Sequence, residues 1–116
     1  MSSIIFAPGE NIILSGKGKI EQPIVASGEA YLTNRRLLII QKSGLIRKRE
    51  TPLVDIRIDM ISYAKVEGLL SKVLVIGVPQ GGSLITYKIK VPHPESWLSQ
   101  ILALKSSIGT KTEFWP

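Results

Sequence analysis

The sequence contains no cysteine, which excludes a disulfide framework, thiol catalysis and any cysteine-based zinc site. It has one histidine, His93, wedged between two prolines, where a cap or surface position suits it better than a role as base or metal ligand. Aromatic residues make up only 6%. There is no nucleophile elbow and no acidic cluster at metal-ligand spacing, and Gly16-Lys17-Gly18 lacks the Ser/Thr and the upstream glycine spacing of a phosphate loop. Asp55 and Asp59 share a strand face with Arg57 between them, which reads as a solvated edge rather than a catalytic pair. Long apolar runs are also missing, and the longest, such as Val73 to Val78, is far too short to span a bilayer. Met1 to Pro8 carries neither a charged n-region nor an adequate h-region, so no signal peptide is expected. These absences point away from an enzyme, from a metal site and from any cofactor. The expectation is a cytoplasmic protein whose contact with a membrane, if it makes one, is peripheral.

What is present is a chain of 116 residues, 44% apolar, enough for one domain with its own core. The formal net charge is +6, and its location is informative. Arg35, Arg36, Lys42, Arg47, Lys48 and Arg49 fall within fifteen residues that include no Asp or Glu. The nine other basic residues balance the nine acidic ones, so the whole excess belongs to this segment. A localised field of one sign attracts anionic partners.

The segment begins in Gly28 to Ile40, which reads as two short strands folded about Asn34-Arg35. Asn tolerates the positive φ of a tight hairpin turn. A two-residue turn sets Thr33 opposite Arg36, Leu32 opposite Leu37 and Tyr31 opposite Leu38, and opposed residues share a face. One face then carries Ala30, Leu32, Leu37 and Ile39, the other Tyr31, Thr33, Arg36, Leu38 and Ile40. Both are largely apolar, so the sheet is expected to be covered on more than one side.

Upstream, Asn11 to Leu14 reads as a first strand and Ser15-Gly16-Lys17-Gly18-Lys19 as a flexible basic loop. Downstream, Leu53 to Met60 alternates, with Ile56, Ile58 and Met60 facing inward. Ile61 to Glu67 continues to a turn at Gly68, and Lys72 to Val78 reads as a buried strand. Pro79 to Ser83 is a turn signal, and Leu84 to Val91 alternates again, with Lys88 and Lys90 outward. About seven short strands at this spacing indicate a sandwich or barrel. The period then changes. Pro94 suits the first position of a helix and Glu95 the positive end of its dipole, while Trp97, Leu98, Ile101, Leu102, Leu104 and Ile108 form an apolar stripe. Gly109 is the expected terminator. The domain therefore spans residues 1–109, and 110–116 form a tail ending in Phe114 and Trp115.

Gly28-Glu29-Ala30-Tyr31-Leu32-Thr33-Asn34-Arg35-Arg36-Leu37-Leu38 resembles the G-x-x-Y-L-T-N-x-R-L hairpin of the GRAM and prokaryotic pleckstrin-homology-like families. Pro52-Leu53-Val54-Asp55-Ile56 is similar to their I-P-L-x-x-I strand, and the last helix suits their closing helix. The resemblance covers residues 10 to 108. It implies a mainly β fold, a partly open barrel of about seven antiparallel strands closed by one C-terminal helix. It also implies a non-catalytic module that binds lipid headgroups, peptides or its own copies. In phosphoinositide-binding members the first loop carries a K-x(n)-R signature; here Lys17 and Lys19 are present, but the next strand reads Glu29-Ala30-Tyr31 and supplies no matching arginine.

Candidate contacts for an anion or a lipid surface are therefore Lys17, Lys19, Arg35, Arg36, Lys42, Leu45, Ile46, Arg47, Lys48 and Arg49. A cation near an anionic bilayer contributes about 1 kcal/mol, and three of the six turned to one side give roughly 3 kcal/mol, about two decades of affinity. Leu45 and Ile46 either insert, adding roughly 1.5–3 kcal/mol each if fully buried, or pack in the core. The alternative is a module for self-association or a protein partner, with Phe114 and Trp115 as further contacts. Nucleic acid is a third partner class, weakened because only Tyr31 lies near the basic run.

Overall fold

A computed structural model describes residues 6–43 and 49–113. Its strands are β1 (Ile12–Gln22), β2 (Ala26–Thr33), β3 (Arg36–Ser43), β4 (Arg49–Arg57), β5 (Tyr63–Glu67), β6 (Val73–Gln80) and β7 (Ser83–Lys90). All pairs are antiparallel, in the spatial order β4-β3-β2-β1-β7-β6-β5, which leaves β4 and β5 as the edges of an open seven-stranded sheet. A 3-10 turn, Ile58–Met60, leads from β4 to β5. One helix, α1 (Pro94–Glu113), follows β7 and packs against β5, β6 and the 3-10 turn.

The apolar pattern explains the arrangement. Val73 to Val78 are six consecutive buried residues, as a strand covered on both faces requires. Gly77 in that run makes room for an aromatic ring. A Cβ there would lie 2.1 Å from the Tyr63 ring, which crosses from edge strand β5 so that its hydroxyl comes 3.3 Å from Thr86 Oγ1 on β7. Gly81 and Gly82, at φ +57° and +83°, form the two-residue link between β6 and β7. Ile20, Leu32, Leu37, Ile39, Leu74, Ile76 and Ile89 fill the core from the sheet. Trp97 and Ile101, 2% and 0% exposed, close it from the helix.

The hairpin register is as expected: Leu32 faces Leu37, Tyr31 faces Leu38 and Ala30 faces Ile39. Both of its faces are covered, since Leu38 and Ile40 are buried as well as Leu37 and Ile39. Five local expectations are corrected. Ser15 to Lys19 is no loop but the middle of β1, an eleven-residue strand with regular pairing to β2. Ile58 to Met60 leaves the strand for the 3-10 turn, which turns Met60 out to solvent. Asn34 does not take a positive φ, because His93 is the only non-glycine that does among the described residues. The helix runs through Gly109 to Glu113, a glycine within a helix costing only about 1 kcal/mol. Leu102 lies off the buried stripe and is exposed.

Candidate functional site

The cations of the hairpin turn are engaged by the protein itself. Glu10 reaches under the turn and accepts hydrogen bonds from the Thr33 hydroxyl (2.7 Å), the Ala7 amide (3.0 Å) and Arg36 Nε (2.9 Å). Thr33 Oγ1 in turn accepts from the amides of Arg35 and Arg36, both at 3.0 Å. Arg36 also pairs with Asp55 at 2.9 Å, and the Phe6 ring lies 5.8 Å from its guanidinium carbon. Arg35 Nη2 donates to the Pro8 carbonyl. Asn34 bridges the same segment, its Oδ1 accepting from the Asn11 amide and its Nδ2 donating to the Gly9 carbonyl. Burial pushes the Glu10 carboxyl pKa up, but the hydrogen bonds from Thr33, Ala7 and Arg36, with the Arg36 charge, outweigh it and hold the group below its ordinary value. Thr33-Asn34-Arg35-Arg36 is a latch for residues 6–11.

A different set of cations lines an open groove of about 630 Å³ on the sheet. Lys17 and Lys19 enter it from β1, Lys42 from β3, Lys90 from β7 and Lys72 from the β5–β6 turn. The alternation of β1 produces this directly: Gly18 and Ile20 are buried, and Lys17 and Lys19 between and before them are exposed. At the same place Gly18 faces Gly28 across β1 and β2. A Cβ on Gly28 would come 2.3 Å from the Ile40 carbonyl oxygen, so the wall can bend this closely only with glycine there.

Five ammonium groups and one carboxylate, Glu29, line the groove. Lys17 stands opposite Glu29 and Lys42 opposite Glu50. Lys72 pairs with Glu95 at 2.7 Å, and its hydrogen bond holds the Glu95 carboxyl below its ordinary value. Lys19 differs from these three. Its partners in register are Ser27 on one side and Lys90 on the other. Among the described residues neither Lys19 nor Lys90 has a carboxylate within ion-pair distance. Like charges directly opposed across strands are destabilising, and an anion held between them reverses the sign of the interaction.

The structure thus divides the expected contacts. Lys17, Lys19 and Lys42 come together in the groove, whereas Arg35 and Arg36 lie at the other end of β3, about 20 Å from Lys42 at the usual strand rise. Arg49 is described through its backbone as the first residue of β4. Leu45, Ile46, Arg47, Lys48, Phe114 and Trp115 lie outside the described residues. Lys72 and Lys90 complete the groove and were missed by counting charge along one segment. The outward setting of Lys90 was readable from alternation, but its meeting with Lys19 depends on the β1–β7 pairing, which no local pattern encodes. No group of His, Asp or Glu that could hold a metal ion occurs among the described residues. No helix among them is long and apolar enough to cross a membrane.

No protein-family model matches the sequence, and no curated protein is significantly similar to it. Among solved structures the chain is similar to a PH domain from TgAPH, at 22% identity and a TM-score of 0.56 over 78% of this chain and 80% of that one. It is also similar to the DH/PH domains of p115-RhoGEF. Against a mutant form the identity is 11% and the TM-score 0.59; against a second structure they are 10% and 0.58. In both cases 84% of this chain is covered but only 31% of that one, so the chain spans about a third of their length. At these identities the likeness shows a PH-like fold.

Proposed function

We propose that this PH-like domain is a non-catalytic binding module that docks weakly and peripherally on an anionic membrane surface, with the lysine groove as its contact. The opposed Lys19 and Lys90 carry the reading: the fold sets two unpaired cations face to face at a solvent-open site, at a cost that a phosphate or carboxylate headgroup relieves. Lys42 acts there together with lysines of β1, β7 and the β5–β6 turn.

Self-association through an exposed strand edge is less well supported. Edge strand β4 contains Pro52 with Glu50, Asp55 and Arg57, and edge strand β5 is five residues long with Lys65 and Glu67, features that discourage edge-to-edge pairing. Nucleic acid is disfavoured because no aromatic residue lines the groove.

Sedimentation with vesicles of phosphatidylcholine, with and without phosphatidylserine, tests the reading. Binding is expected to the anionic vesicles only and to weaken with salt. At about 1 kcal/mol per lysine, Lys19→Gln with Lys90→Gln is expected to lower affinity roughly 30-fold. Equal sedimentation with both vesicle types would reject it.

A further inference from the structure

The turn between β5 and β6 presents Leu69 and Leu70 entirely to solvent, at 94% and 102% exposure, the highest of the large apolar residues among those described. Neither belongs to the core or packs against it. The turn that carries them is tight. Gly68 has φ +110°, and a Cβ on it would meet the Ser71 carbonyl oxygen at 2.3 Å, so only glycine fits at the start of the turn. Lys72, which lines the groove, lies two residues beyond Leu70, its Cα therefore no more than about 7.6 Å away. The chain thus places a fully exposed apolar pair at the rim of a cationic groove.

We infer that Leu69 and Leu70 form an apolar anchor that enters the interfacial region of the anionic bilayer while the lysines beside it meet the headgroups. The inference deepens the proposed membrane reading and depends on it. The occupant follows from the two chemistries in contact: a surface negatively charged at its face and apolar just beneath meets both at once, whereas a soluble polyanion leaves the leucines in water. Leu84, an apolar residue 51% exposed, stands near the far end of β7 from Lys90, six residues and about 20 Å away at the usual strand rise. It supplies the internal comparison.

Because the sequence has no cysteine, Leu70→Cys and Leu84→Cys each give a single site for a polarity-sensitive fluorophore. With phosphatidylserine-containing vesicles the label at position 70 is expected to shift to the blue, more than the label at position 84. The double variant Leu69→Ser, Leu70→Ser is expected to bind these vesicles at least tenfold more weakly, by the same factor at low and high salt, since apolar burial is not screened. The factor for Lys19→Gln with Lys90→Gln should shrink as salt rises. If the protein binds anionic vesicles but the label at 70 stays in water, or the leucine variant binds as wild type, the anchor is wrong while the lysine groove stands. If unmodified protein binds no anionic vesicle, both readings fall. Circular dichroism of each variant separates lost binding from lost fold.

Discussion

At Glu10 a carboxylate 2% exposed in its side chain meets Arg36, 19% exposed, and the pair ties the first described residues to the β2–β3 turn. Removing one member leaves the other charge poorly solvated, so Arg36→Met is expected to destabilise the fold by about 2–4 kcal/mol, read from urea unfolding at neutral pH. The pH dependence has a definite sign. The folded-state pKa of Glu10 is lowered, so its contribution is present above the ordinary value of 4.5 and is lost as pH falls through the lower folded value. Glu10→Gln should therefore cost stability at pH 7, with the deficit shrinking under acid. A deficit that is constant with pH would show that the Glu10 charge is not what holds the latch. The same residues show how a motif can be legible while its role is not. Thr33-Asn34-Arg35-Arg36 announces a hairpin and the resemblance that goes with it. Its Asn and Arg side chains, however, serve contacts with Pro8, Gly9, Glu10 and Asn11, more than twenty positions away.

Among the elements, α1 depends on tertiary contact more than on its own pattern. Its stripe is sound at Trp97 and Ile101, which close the core, and fails at Leu102, which is exposed. Trp97→Ala is expected to cost about 3–5 kcal/mol, while Leu102→Ser should change stability by less than about 0.5 kcal/mol; thermal unfolding compares them directly. Comparable losses would mean that the helix packs in another rotation. Strands with a clear period were readable, as β6 and β7 show, because burial on one or two faces writes itself into the residue choice. β1 was not readable, because its glycines serve packing. Gly16, where a Cβ would meet Pro92 at 3.0 Å, and Gly18, where one would meet the Ala30 Cβ at 2.9 Å, mimic a loop in composition while leaving room for neighbouring elements. The 3-10 turn at Ile58 to Met60 was hidden for a related reason, since Ile58 is buried as a strand residue there would be.

Over the whole molecule, net charge says less than the position of each charge. Arg35 and Lys19 are both exposed and both singly charged, but Arg35 lies beyond the far end of β2, eight residues on from the Ser27 that faces Lys19. At the usual strand rise that separation is on the order of 25 Å, more than two Debye lengths at 0.1 M salt. Arg35→Gln and Lys19→Gln therefore remove the same charge from opposite ends. With phosphatidylserine vesicles near physiological ionic strength, Lys19→Gln is expected to weaken binding about fivefold, as the loss of roughly 1 kcal/mol implies. Arg35→Gln should change it less than twofold. Lowering the salt should narrow the contrast, because a longer screening length lets the distant charge be felt. Equal losses at every salt concentration would mean that the membrane responds to total charge alone, and the groove would then have no standing as a site.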